Sequence, residues 1–208
     1  MPIEVLDDGL LIEAVRVLAN RDPDLASIVQ RYGTPPLWSR PPGFATLIRI
    51  ILEQQVSLSS AQAAFHRLQE KTCGVTPQSF LRLDNGELKA IGFSRQKTLY
   101  GRLLAESMLD GSFDLECLEA LVDDDVRVRL MRLKGIGRWS ADIYLLMALL
   151  RPDIWPRNDL ALISAVTRIK GLSAPPSPEE FDSIGEMWRP WRSVAARLVW
   201  FEYLGGKS

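Results

Sequence analysis

The stretch LKGIGRWSAD, residues 133–142, is the most informative part of this sequence. Residues 126–133 lead into it with a helical pattern, and an apolar helical run follows over residues 143–150. Gly135 and Gly137 flank a single apolar residue, and glycine permits a tight turn and the close approach of another chain. The first N–H groups of a helix have no partner within it, so the start of the second helix is suited to hold an anion such as phosphate. The pattern predicts a helical hairpin that binds phosphate.

Composition places the chain among globular proteins of one domain or two small lobes. Its 208 residues are 47% hydrophobic, enough for a core, and no apolar run approaches the ~18–20 residues of a membrane span. The first residues show no secretory signal. Cys73 and Cys117 are too few for a disulfide framework or a four-cysteine metal site, which favours a reduced, intracellular setting. The single histidine, His66, argues against a histidine-rich metal site and a Ser-His-Asp triad, so no metal site is expected.

The net charge of −1 is unusual for a protein that binds nucleic acid, but the basic residues are unevenly distributed. Residues 127–138 contain five basic residues and no acidic one, and a second basic group follows between residues 189 and 197. Salt screens distant charges beyond about 10 Å, so a local basic patch can bind phosphates on a nearly neutral protein. The alternative is that these side chains are solvated helix faces. The first group comprises Arg127, Arg129, Arg132, Lys134 and Arg138, and the second Arg189, Arg192 and Arg197.

Almost every segment has a helical pattern, with capping residues and prolines at the predicted helix starts. Examples are Asp22-Pro23, the apolar run from Phe44 to Gln55, and residues 94–109. The sequence contains no convincing strand hairpin and no repeat. It predicts an all-α protein of two helical lobes, one over residues 56–155 and one built from residues 1–55 and 156–208. A site is expected in the cleft between the lobes.

Four stretches, taken in order, carry a resemblance to one family. They are IILEQQVS at residues 50–57, the hairpin at 133–141, PRNDL at 156–160 and WRPWRSVA at 188–195. A Gly-x-Gly hairpin alone also serves in ligases, polymerases and structural DNA-binding proteins, where it captures phosphate. Together the four stretches resemble the helix-hairpin-helix (HhH-GPD) superfamily of DNA glycosylases. The fourth is close to the 3-methyladenine DNA glycosylase II branch.

The resemblance assigns the catalytic role to Asp159. Cleavage of a nucleoside C1′–N bond builds positive charge on the sugar, and a nearby carboxylate stabilises that charge and activates water. The alternative is that Asp159 only caps the helix that runs to Lys170.

Two tryptophans match aromatic residues of the substrate pocket in this branch, Trp139 and Trp200. An alkylated purine is cationic, and electron-rich rings bind cations. Trp139 also stands where glycosylases with lyase activity carry a Schiff-base lysine. Lys97 and Lys134 do not match that position, so the resemblance implies a monofunctional enzyme. The alternative for both tryptophans is a packing role in the core.

The resemblance also implies the DNA contacts. Gly135, Ile136 and Gly137 would present backbone amides to a phosphate, and Lys134 and Arg138 would add charge. Gln54 and Gln55 lie at a helix end that would contact DNA, and Gln55 matches the wedge residue that fills the gap left by a flipped base. The alternative is that both merely cap the helix. Hairpin carbonyls would hold a monovalent cation. No iron–sulfur cluster is expected, since that needs four cysteines. The N-terminal β-rich domain of some relatives is expected to be absent, because the residues before Phe44 have helical patterns.

The expected function is that of a monofunctional DNA glycosylase, without lyase activity, that flips and hydrolytically excises alkylated bases of the 3-methyladenine type. Two alternatives remain: a glycosylase for an oxidised, deaminated or mismatched base, and a non-catalytic hairpin protein that binds DNA. The expected partner is double-stranded DNA with damaged bases, bound by a monomer without membrane association. The expected location is the cytoplasm of a bacterium, at the nucleoid.

Overall fold

The computed structural model describes residues 4–207, and these form twelve α-helices, one 3-10 helix and no strand. The all-α prediction is therefore confirmed. The 3-10 helix is Glu116–Ala120. The α-helices are α1 (Asp8–Arg21), α2 (Pro23–Tyr32), α3 (Phe44–Glu53), α4 (Leu58–Thr72), α5 (Pro77–Arg82), α6 (Asn85–Ile91), α7 (Arg95–Leu109), α8 (Asp123–Leu130), α9 (Arg138–Met147), α10 (Leu160–Ile169), α11 (Pro178–Glu186) and α12 (Arg192–Tyr203).

Local signals in the sequence set the helix starts. Asp22 caps α2, with Pro23 in its first turn, and the Asp22 carboxylate accepts the N–H of Asp24 at 2.9 Å. Ser94 caps α7 and Ser177 caps α11 in the same manner. The apolar helix predicted for residues 44–55 ends two residues earlier, at Glu53.

The described chain divides into two compact units. The middle unit is Arg40–Tyr144, and the terminal unit combines the described residues up to Ser39 with those from Leu145 onward. These bounds differ from the expected lobes at both edges. Helix α3 belongs to the middle unit because it packs against α4 and α7. Residues 145–155 belong to the terminal unit, where the Leu6 N–H donates to the Leu150 carbonyl at 2.8 Å.

The core of the middle unit lies where α3 and α5 meet α7. Phe80 is fully buried and contacts Phe44 and Phe93 edge to face. Gly101 lets α7 approach it, since a β-carbon there would lie 2.5 Å from the Phe80 ring. This core supports the end of α3 and the hairpin between α8 and α9.

The terminal unit is built from both ends of the sequence. Helices α1 and α2 pack on α12, which in turn packs on α10. A buried polar cluster joins the two ends, because Lys170 and Trp188 both donate to the Asp22 carboxylate at 2.8 Å. The fully buried Arg197 donates to the carbonyls of Leu37 and Leu146. These bonds hold the helices that carry Asp159 and Trp200.

Candidate DNA-binding hairpin and candidate catalytic aspartate

The predicted hairpin is present between α8 and α9. The Ile136 N–H donates to the Leu133 carbonyl at 3.1 Å, which closes a turn over residues 133–136. The Ala141 N–H then makes the bond that starts α9, to the Gly137 carbonyl at 3.0 Å. The N–H groups of the three residues between have no carbonyl within α9 to pair with. The start of α9 therefore has the geometry that favours an anion.

The Ile136 amide, predicted to contact a phosphate, already has a partner within the hairpin. It donates inside the turn to the Leu133 carbonyl. Its side chain is only 5% exposed, so the residue anchors the turn in the core. Gly135 and Gly137 remain as the hairpin residues expected to offer amides, with Lys134 exposed beside them.

The two glycines of the hairpin differ in what surrounds them. Gly135 has a φ of +90°, and a β-carbon there would lie 2.2 Å from the Tyr100 ring. Around Gly137, a β-carbon would meet no atom within 4 Å. Gly135 is thus required by the turn and by Tyr100, whereas Gly137 leaves open space in which another molecule can approach the backbone.

Gln54 and Gln55 have different environments. The Gln54 side-chain amide donates to the Gly135 carbonyl at 2.8 Å and to the Ser140 hydroxyl at 2.9 Å. Gln54 therefore ties the end of α3 to the hairpin, and its DNA contact stays a prediction. Gln55 is exposed, with a φ of +56°, and stays the predicted wedge residue.

A buried ion-pair network holds the hairpin helices together. Asp142 is 0% exposed, and its two oxygens accept Arg127 at 2.6 Å and Arg138 at 3.1 Å. Burial lowers the pKa of Arg127, but the carboxylates of Asp142 and Asp124 outweigh it, so the pKa lies above its ordinary value. Arg138 is exposed, so part of its guanidinium can still face a phosphate. The half-buried Trp139 follows it in the first turn of α9.

Asp159 is the N-cap of α10 in the terminal unit. Its Oδ1 atom accepts the Leu162 N–H at 2.8 Å and the Trp200 indole N–H at 3.2 Å. Asn158 before it has a φ of +62°, a left-handed conformation that asparagine tolerates. Asp159 and Trp200 are each 8% exposed. Asp159 therefore does cap α10, as the alternative reading expected. The hydrogen bond from Trp200 is additional, since capping alone does not require it.

Comparison with known proteins identifies the family. The family model described as HhH-GPD superfamily base excision DNA repair protein matches residues 48–190, which include the hairpin and Asp159. The chain belongs to this superfamily.

Individual relatives of the HhH-GPD chain carry names from the alkylated-base branch. It is 26% identical to the putative DNA-3-methyladenine glycosylase YfjP of Bacillus subtilis, over 85% of this chain but 64% of that protein, just under two thirds. It is 27% identical to the alkylbase DNA glycosidase-like protein mag2 of Schizosaccharomyces pombe, over 90% of this chain and 91% of that protein.

A solved structure extends the similarity to the fold. The 3-methyladenine DNA glycosylase Mag1 of Schizosaccharomyces pombe, in complex with abasic DNA, matches with a TM-score of 0.84 and 27% identity. The match covers 91% of this chain and 95% of that one. The resemblance expected from the four sequence stretches is thus confirmed.

The site of this HhH-GPD protein includes side chains that the sequence did not reveal. Lys97 on α7 donates to the carbonyls of Leu52 and Gln54, both at 2.8 Å, at the end of α3. Burial lowers the pKa of Lys97, and its position at a helix C-terminus favours the cation. Tyr100, one turn later, covers Gly135. The ion pair of Asp142 with Arg138 could have been predicted from the sequence, because the two residues are four positions apart on one helix.

Two searches of the described residues gave negative findings. Among residues 4–207, no helix is both long and apolar enough to cross a membrane. The same part of the chain has no group of three or more histidine, cysteine, aspartate or glutamate side chains that could hold a metal ion.

Proposed function

We infer that this chain is a monofunctional DNA glycosylase, acting as a monomer, that flips and hydrolytically removes alkylated bases of the 3-methyladenine type from double-stranded DNA. The observation that carries the proposal is the buried carboxylate of Asp159, held by a backbone N–H and by the Trp200 indole in a chain of the HhH-GPD superfamily. The relatives named above support the substrate class through their own names.

The reaction follows from the charge that the substrate already carries. An alkylated purine is cationic, so the C1′–N bond breaks with its electron pair moving to the base, which leaves neutral. The positive charge passes to the sugar, where the Asp159 carboxylate stabilises it. Water then bonds to C1′ and gives a proton to the carboxylate, which leaves an abasic site. The base needs no protonation, in keeping with the lack of a general acid among the expected site residues.

The absence of lyase activity is part of the proposal. A Schiff base requires an amine at the position that Trp139 occupies in this sequence, and an indole forms none. Trp139 and Trp200 are proposed to bind the cationic base through their rings. For Trp200 this adds to its hydrogen bond with Asp159.

The hairpin supplies the DNA contact in this proposal. The amides of Gly135 and Gly137 hold a backbone phosphate, the charges of Lys134 and Arg138 strengthen it, and Gln55 fills the space of the flipped base. The Gly135 carbonyl accepts one hydrogen bond from Gln54 and keeps a second lone pair, so the hairpin carbonyls can also take a monovalent cation. That cation would supply positive charge beside the phosphate. We propose no iron–sulfur cluster, because the sequence holds two cysteines.

The proposed location is inside the cell, at chromosomal DNA. The relatives reported above come from a bacterium and a fission yeast, so they do not favour the bacterial source that the sequence suggested.

The decisive experiment compares wild type with Asp159→Asn on methylated duplex DNA, with released bases separated by chromatography. Asparagine is as good a helix cap as aspartate, so α10 should persist while the charge is lost. We expect wild type to release 3-methyladenine, and the variant to release at least about a hundredfold less while it binds an abasic duplex equally well. Normal release by the variant would overturn the role of Asp159. A wild type that binds DNA and releases only oxidised or deaminated bases would change the substrate class, and no release of any base would favour a binding protein.

A further inference from the structure

A cavity of about 410 Å³ opens in the middle unit beside the hairpin. It lies where the end of α7 and the following loop meet the end of α8. Its lining is largely polar and includes two arginines, and nothing in the proposed function uses it. Besides two apolar side chains, it is lined by Ser107, Ser112, Asp114, Arg129 and Arg132.

Ion pairs separate four of the five basic residues of the hairpin into two sets. Arg127 and Arg138 are bound to the buried carboxylate of Asp142. Arg129 and Arg132 line the cavity, and neither contacts a carboxylate anywhere in residues 4–207. Arg129 instead donates to the Cys117 sulfur at 2.8 Å, a weak acceptor. Unlike Arg127 and Arg138, these two arginines have no carboxylate partner among the described residues, so their positive charge is available to bind another ligand.

The other polar groups of the cavity define what that ligand is. The hydroxyl of Ser107 donates to the Leu104 carbonyl, and that of Ser112 to the Ser107 carbonyl, so the donors that remain for a ligand are the arginines. Asp114 contributes the opposing charge, and its carboxylate accepts the Glu116 N–H. Two positive charges and one negative leave a balance of +1, which matches a singly charged phosphodiester better than a doubly charged free phosphate.

We propose that Arg129 and Arg132 bind a second phosphate of the DNA backbone in this cavity, next to the phosphate at the hairpin. Arg132 precedes Gly135 by three residues, so the cavity rim lies close to the hairpin along the chain, and the proposal is that a strand bound at the hairpin continues to this rim. Arginine binds phosphate through two parallel N–H bonds, which suits a fixed site. This inference rests on the DNA-binding part of the proposed function and extends its footprint to the α8 side of the hairpin.

The test measures how salt changes the Kd for an abasic duplex, by fluorescence anisotropy between 50 and 200 mM KCl. The variant is Arg129→Ala/Arg132→Ala. The matched control is Arg82→Ala/Lys89→Ala, which removes two exposed charges from α5 and α6 of the same unit. All four side chains are exposed, so both variants are expected to fold. Thermal unfolding would verify this.

Each phosphate contact contributes about 0.9 to the slope of log K against log salt. Loss of one phosphate therefore lowers the slope of the Arg129→Ala/Arg132→Ala variant by about 0.9. The Kd gap between variant and wild type should then shrink about 3.5-fold from 50 to 200 mM KCl, because a fourfold salt change is raised to that power. The control should keep the wild-type slope. An unchanged slope in the cavity variant, or an equal fall in both variants, would overturn the proposal.

A second arm separates DNA phosphate from free phosphate. Inorganic phosphate is added at constant ionic strength, and the Tm of wild type is compared with that of the cavity variant. A Tm rise that only wild type shows, with equal DNA slopes, would assign the cavity to a free anion and overturn the proposal. Because binding to an abasic duplex needs no base release, a failure of the glycosylase reaction and a failure of this phosphate site give different results.

Discussion

At the scale of single residues, two of the groups that hold Asp159 donate to the same atom, its Oδ1. The Leu162 N–H belongs to the helix that Asp159 caps, whereas the Trp200 indole belongs to α12. A cap alone leaves a carboxylate free to rotate about its last bond. The bond from Trp200 restrains that rotation, so Trp200 is a positioning residue for the proposed catalyst as well as a candidate wall of the pocket.

Trp200→Phe tests this role, since it keeps an aromatic ring and removes the N–H donor. A hydrogen bond to a charged group is worth roughly 1.5–3 kcal/mol, so the rate of base release at saturating DNA should fall about tenfold or more. KM should stay close to that of wild type because a ring remains to bind the base. The measurement is kcat and KM on methylated DNA, with Tm as a check on folding. An unchanged kcat would mean that Asp159 is positioned without the Trp200 bond.

At the scale of the element, the hairpin depends on two glycines for different reasons. Gly135→Ala places a methyl group against the Tyr100 ring at a φ of +90°, so it should lower the free energy of unfolding by about 1–3 kcal/mol. Gly137→Ala places the methyl group in open space, so the Tm should change little. DNA binding should nevertheless weaken, because the methyl group occupies the approach of the phosphate. Thermal unfolding and anisotropy together check the pair, and a Gly137→Ala protein with full affinity would remove Gly137 from the phosphate site.

The features that the sequence predicts correctly are those set by residues close together in the chain, such as helix starts. Ser94, Ser177 and the Asp22-Pro23 pair start helices where expected, since a cap acts within a few residues. The turn at Gly135, Ile136 and Gly137 also lies at the predicted position. The role of Gln54 was not predictable, because its partners Gly135 and Ser140 lie more than eighty positions away in the chain. The contact of Tyr100 with Gly135 was not predictable either, because the two residues lie 35 positions apart in the chain.

The hydrogen bond of the Ile136 amide within the turn was not predicted, for a related reason. The motif suggested three amides in a row, but a tight turn uses one of them to close itself. Equally, the basic run from 127 to 138 does not show that Asp142 binds Arg127, fifteen residues away, as well as Arg138, four residues away. Charge patterns in a sequence count charges but do not show which of them are already paired.

At the scale of the whole molecule, polar bonds join segments from opposite ends of the sequence. Burial raises the pKa of Asp22, but its bonds with Lys170 and Trp188 outweigh burial and leave that pKa below its ordinary value of 3.8. A lowered pKa in the folded state stabilises the protein above the unfolded value, and that contribution is lost as the pH falls through the folded pKa. The terminal unit should therefore lose stability in acid partly through this group.

Asp22→Asn tests the linkage. The amide offers one acceptor oxygen where the carboxylate uses two, so it cannot serve both Asp24 and Lys170. We expect the free energy of unfolding to fall by about 1–3 kcal/mol at neutral pH. The gap to wild type should stay constant down to about pH 5 and narrow below pH 3.8, as the wild-type carboxylate takes up its proton. Urea titrations across this range measure the gap, and a gap that does not change with pH would rule out a role for the Asp22 charge.

The construction of the terminal unit from both ends also has a consequence for synthesis on the ribosome. Helices α1 and α2 are synthesised before residues 40–144, whereas α12, against which they pack, follows those residues. The buried leucines of α1 and α2, Leu11, Leu18 and Leu25, are therefore made long before α12. Apolar surface that is exposed during synthesis promotes aggregation. The nascent chain is therefore most vulnerable to aggregation before α12 is made, and α12 also carries the tryptophan that holds Asp159.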